Sequence, residues 1–219
     1  MSEVTITVRG EHEARVAPER ATVRITVRAE GPERADVVDT AMRLAEPLRT
    51  GLGARKEAGA VREWSSRNFS VRAERPWNAE GKRLAPVYYA SVDFTATFDE
   101  ASELSIWVSD ISSWEGVEIG WVNWHLTPET TTRIERDVAA AAVKVAVTRA
   151  HAYAGALGLE EVTPLEIADA GLISSGQPPA PMMKARGAMA FAADSAPAME
   201  YEPEDIVISA TVEARFAAR

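Results

Sequence analysis

The sequence predicts an α+β fold, a largely antiparallel β-sheet with helices packed on it. Three observations lead there. Apolar and polar residues alternate with period two through most of the extended segments, as in Ala21, Val23, Ile25, Val27 and Ala29 against Thr22, Arg24, Thr26 and Arg28. Between them, apolar residues recur at three- and four-residue steps, the signature of a helix with one buried face. The elements follow the order ββα-ββ-αβα-ββ with short links, which favours antiparallel neighbours packed against helices.

The first strand places Val4, Ile6 and Val8 against Thr5, Thr7 and Arg9, and a polar link through Gly10 and Pro18 leads to the second. The two are expected to form a half-buried antiparallel pair. Val38, Ala41, Met42, Ala45, Leu48 and Leu52 then line one face of a helix, with Pro32 in its first turn and Gly51 and Gly53 at its end. Pro47 lies inside this pattern and predicts a kink or an early stop. A long hairpin follows, with arms from about Val61 to Arg75 and from about Leu84 to Phe98, and Pro76 to Lys82 as its turn. Leu104, Trp107, Val108, Ile111 and Trp114 make the inward face of a short helix that Gly116 ends.

A strand from Val117 to Leu126 comes next, then the longest helix, about Pro128 to Leu157. Thr127 reads as its N-cap, Pro128 as its first residue and Gly158 as its stop. Ile134, Val138, Ala142, Val145, Ala152 and Tyr153 define its expected buried side. After a strand near Val162 to Ile167, the chain from about 171 to 203 turns rich in Ala, Pro, Gly and Met, longer than a compact domain leaves as an ordinary loop. The last strand sets Ile206, Ile208, Ala210, Val212, Ala214 and Phe216 against Val207, Ser209, Thr211, Glu213 and Arg215. Residues 1–219 are read as one domain carrying that long loop.

Composition bounds the function. With 46% hydrophobic and 26% charged residues among 219, disordered and fibrous classes are excluded. Twenty-four basic against thirty-three acidic side chains give −9, which argues against a nucleic-acid partner whose phosphates need neutralising. Nine of the acidic residues lie between Glu160 and Asp205, against only Lys184 and Arg186, so one region is strongly negative. No cysteine is present, which removes disulfides, thiolate nucleophiles and cysteine-based metal sites. No apolar run reaches the ~18 residues of a membrane span. The opening Met1 to Val8 has neither the basic nor the apolar pattern of a secretory leader, so a cytoplasmic location is the expectation.

With these elements in place, the whole chain resembles the SIMPL-domain family, bacterial proteins of undetermined biochemical role that include an immunogenic periplasmic protein of pathogens. Ile6-Thr7-Val8-Arg9-Gly10-Glu11, followed by Pro18-Glu19-Arg20-Ala21, resembles the family's strand, glycine turn and Pro-acidic-x-Ala signature. Tyr88-Tyr89-Ala90-Ser91-Val92 resembles its central hairpin strand, and Ala142 through Ala156-Leu157-Gly158 its alanine-spaced helix ending in Leu-Gly. Pro203-Glu204-Asp205-Ile206-Val207 resembles the Pro-led entry to its last strand. His12 stands where the family usually has a second glycine. The resemblance implies an α+β fold and a tendency to form oligomers, including ring-like or channel-like assemblies. It carries over no catalytic residue.

No motif supplies chemistry. His12, His125 and His151 are not at metal-ligand spacing from one another. Gly51-Leu52-Gly53 lacks the third glycine of a dinucleotide loop and ends a helix instead of opening one. Ser174-Ser175-Gly176 lacks the preceding glycine of a nucleophile elbow, and carboxylate pairs such as Glu160-Glu161 read as a solvated face. No catalytic residue, metal site or cofactor is expected, and the chain is read as non-enzymatic.

The tryptophans are the unusual feature, six in 219 residues. Trp121 and His125 point to one side of their strand and Trp124 to the other. Plain core is the first reading for such residues, a subunit interface the second and a sugar- or peptide-stacking cleft the third. Trp77, at a turn tip, fits core least. Trp77, Trp121 and Trp124, with Met182 and Met183 in the late segment, are therefore the candidate ligand or subunit contacts. The expected function is a self-assembling interaction protein, a homo-oligomer. The alternative is a small-molecule, glycan or peptide-binding module built on exposed tryptophans.

Overall fold

The structure, a computed structural model, describes residues 3–173 and 201–219. Its elements are β1 (Val4–Val16), β2 (Arg20–Gly31), α1 (Arg34–Glu57), β3 (Val61–Glu74), β4 (Val87–Phe98), α2 (Ala101–Ile111), β5 (Val117–His125), α3 (Pro128–Ala156), β6 (Val162–Asp169) and β7 (Ile206–Ala218). The order is the predicted one, and the fold is α+β with two antiparallel sheets. The described residues fall into two compact units. One comprises 3–17, 127–173 and 205–219, the other 18–126 and 201–204.

In the first unit the sheet order is β1-β7-β6, so the chain's first and last strands lie side by side in register from Val4 with Ala218 to Val16 with Ile206. This corrects two expectations. β1 and β2 do not pair with each other, and Gly10 is not a turn but sits mid-strand opposite Val212. The reason lies in α3, whose buried residues Val138, Ala142, Ala146, Ala150 and Ala154 recur every fourth position. Four short alanine side chains bring the helix backbone close to the sheet. At Gly10 the approach is closest: a Cβ there would collide with the Ala142 carbonyl oxygen and the Ala146 backbone. The glycine and the alanine-spaced helix are thus two halves of one contact. Ala152 and Tyr153, expected on the buried side, are exposed because the stripe runs through Ala150 and Ala154 instead. Thr127 caps α3 as predicted, its hydroxyl accepting the Thr130 N–H at 3.2 Å.

In the second unit the order is β3-β4-β2-β5. One face of this sheet packs on α1 and α2. Val23, Ile25 and Val27 of β2, with Phe94, Ala96 and Phe98 of β4, meet Leu48, Leu52, Leu104, Trp107 and Ile111. The Phe98 and Trp107 rings meet at a tilt of 38°, 5.2 Å between centroids. α1 runs unbroken through Pro47, so the expected early stop does not occur. Ala45, Leu48 and Leu52 continue the buried face across it, and that packing outweighs the lost hydrogen bond. β4 starts at Val87 rather than Leu84 because Pro86 has no N–H for the ladder. α2 ends at Ile111, which leaves Trp114 in a turn and partly exposed rather than inward.

Candidate functional site

The other face of the β3-β4-β2-β5 sheet carries a polar array built by the alternation of β2 and β4. Thr22, Thr26 and Arg24 rise from β2, and Asp93, Thr95 and Thr97 from β4. Their side chains bond to one another across the strands. The Thr22 hydroxyl lies 2.9 Å from the Thr97 hydroxyl and 3.0 Å from His125 Nε2. Thr95 and Ser65 share a hydrogen bond at 2.8 Å. The Asp93 carboxylate accepts from Thr26 at 2.8 Å, from Arg24 at 3.0 Å and from Asn68 at 3.3 Å. Burial pushes the Asp93 carboxyl upward, but these three donors and the Arg24 charge outweigh it and hold it below the usual carboxylate range.

Two β-bulges break the edge strands at the same level. On β5, Gly120 and Trp121 together oppose Arg24. On β3, Arg67 is the extra residue between the pairs Ser66–Phe94 and Asn68–Asp93. A bulge re-aims a side chain by breaking the ladder locally and shifting the alternation of the strand by one residue. On β5 it keeps Val117, Ile119, Val122 and Trp124 against the core while Trp121 stands out on the open face, 64% exposed. Trp121 and Arg67 then flank a hollow of about 320 Å³ whose lining also includes Thr22, Arg24, Asp93 and Thr95.

In the other unit, among the described residues β6 pairs with β7 alone and so forms an edge of its sheet. Leu165 is its bulged residue, set between the pairs Pro164–Phe216 and Glu166–Arg215. Leu165 and Ile167 are 56% and 55% exposed. With Val143, Val147, Pro164 and Phe216 they line an apolar groove of about 310 Å³ between α3 and the sheet edge.

The predicted contact residues separate accordingly. Trp121 lines the hollow. Trp124 packs on the core and meets the Tyr201 ring edge-on at 5.8 Å. Trp77 is 62% exposed near the hairpin tip, with the Arg83 guanidinium 5.0 Å from its ring centroid. Met182 and Met183 lie outside the described residues. Arg67, Asp93, Leu165 and Ile167 are missed by sequence reasoning. Gly120, a glycine inside a strand, is the one local sign of a bulge; nothing in Ser65-Ser66-Arg67-Asn68 announces the other. Among the described residues no group of three or more His, Asp or Glu side chains is placed to hold a metal ion, and no helix is long and apolar enough to cross a membrane.

No curated protein is significantly similar to the chain. One family profile matches it, SIMPL, described as "Protein of unknown function (DUF541)", over residues 6–216. That span runs from β1, with Gly10 seated under the alanine-spaced α3, to the Pro203-led β7, and the chain belongs to the SIMPL family.

Proposed function

We propose that the protein is a non-enzymatic interaction protein that self-assembles through the β6 edge, a second copy covering the groove beside α3. The observation that carries this reading is the exposure of Leu165 and Ile167 on a strand that, among the described residues, is paired on one side alone. A sheet edge offers a row of unpaired backbone N–H and C=O groups, which natural proteins usually cover or blunt. Here Pro164 removes one donor, Glu166 is tied to Arg215 at 3.0 Å, and the apolar side chains stay open. Apolar area at such an edge is worth roughly 25 cal/mol per Å² when it leaves water, so two large aliphatic side chains weigh against keeping it wet.

Sedimentation velocity on the full chain and on a Leu165→Asp, Ile167→Asp double variant tests the reading. The expected outcome is an assembled wild type and a folded, monomeric variant. Deleting Ser175–Met199 separates the edge from the late segment. Assembly retained in the deletion and lost in the double variant supports the edge as the contact. Assembly untouched in the double variant contradicts it.

A further inference from the structure

On the open face of the second unit's sheet, four arginines are matched to carboxylates. Arg20 reaches Asp99 at 2.9 Å, and Arg24, Arg28 and Arg72 reach Asp93, Glu118 and Glu74, each at 3.0 Å. Among the described residues Arg67 makes no ion pair. It is the bulged residue of β3 and lines the hollow opposite Trp121, the bulged residue of β5. The two strands are three sheet spacings apart, roughly 14 Å at ~4.8 Å each. The floor between them is already organised, since Thr22, Thr95 and Asp93 have protein partners and the Arg24–Asp93 pair is neutral as a unit. The hollow therefore presents a flat indole, a guanidinium that has no ion pair among the described residues, and a hydroxyl-lined base.

We propose that this hollow binds a sugar acid, its pyranose ring laid on Trp121 and its carboxylate taken by Arg67. The apolar face of a pyranose matches an exposed indole, an amphipathic ring well suited to a half-wet contact. A guanidinium matches a carboxylate in two-point geometry. The hollow's volume lies at the low end of ligand sites, so it takes one ring rather than an extended chain. The charge balance selects among anions. One unmatched positive charge beside an ionised Asp93 suits a monoanion, whereas a phosphate monoester brings about −1.5 to −2 toward that same carboxylate. The site belongs to a different unit from the β6 groove, and it stands or falls apart from self-assembly.

Isothermal titration of the full chain with D-glucuronic acid and N-acetylmuramic acid, against glucose, N-acetylglucosamine and AMP, is the test. Both acids are expected to bind, and their neutral counterparts to bind about tenfold or more weakly, the scale of a lost charge-assisted hydrogen bond. Arg67→Ala is expected to erase that preference, Arg67→Lys to keep part of it, and Trp121→Ala to weaken all sugars. Arg72→Ala, on the same face outside the hollow, leaves the titration unchanged. Arg67 and Trp121 are exposed, so both variants keep the fold, which circular dichroism verifies. Equal binding of acidic and neutral sugars, tighter binding of AMP, an unaltered preference in Arg67→Ala, or no heat from any sugar overturns the assignment.

Discussion

At the scale of single residues, Gly10 sets how closely α3 lies on its sheet. A side chain there meets helix backbone, which cannot rotate aside as a long side chain does. Gly10→Val is expected to destabilise by about 3 kcal/mol, the upper part of the usual cost of overpacking, read as a lower urea midpoint with an unchanged slope. Asp93 carries a pH dependence whose sign follows from its hydrogen bonds. Folding favours its ionised form, so its contribution is complete above the ordinary value of 3.8 and drains as the pH falls through the lower folded value. Asp93→Asn is therefore expected to cost about 1–2 kcal/mol at neutral pH, and the gap from wild type closes in acid. A gap that widens in acid contradicts the direction of the shift. Residue identity alone separated Trp121 from Trp124 by strand parity. It did not show that Arg67 stands opposite Trp121, because a bulge adds one residue and leaves composition untouched.

At the scale of elements, periodicity carried most of the fold. The face of β4 with Tyr88, Ala90, Val92, Phe94, Ala96 and Phe98 and the cap at Thr127 appear as predicted, since alternation and capping are local. Partnership between strands is not local. β1 pairs with β7 from the far end of the chain, and nothing in Val4–Val8 distinguishes that partner from the adjacent β2. Pro47 shows the converse, a strong local signal overridden by the packing of Leu48 and Leu52. Thr127→Ala tests the cap at this scale. The loss of one hydrogen bond to the Thr130 N–H is expected to cost about 1 kcal/mol, visible as faster hydrogen exchange confined to the first turn of α3.

At the scale of the whole molecule, both proposed contacts lie at sheet edges and on an open sheet face. Each proposed contact is offered by an edge strand at a bulge: Leu165 on β6, Arg67 on β3 and Trp121 on β5. Bulges are enriched at sheet edges and beside functional sites, where they end pairing or redirect a side chain. The sheets behind them are held by cores of ordinary aliphatic and aromatic packing. Family membership says nothing of a reaction, since the family is described as one of unknown function and a fold is compatible with many functions. Self-assembly is tested most directly by the mass of the full chain in solution, followed by light scattering through serial dilution. The expected mass is a multiple of 23.7 kDa that falls on dilution or with aspartate at 165 and 167. A mass of 23.7 kDa at every concentration contradicts self-assembly.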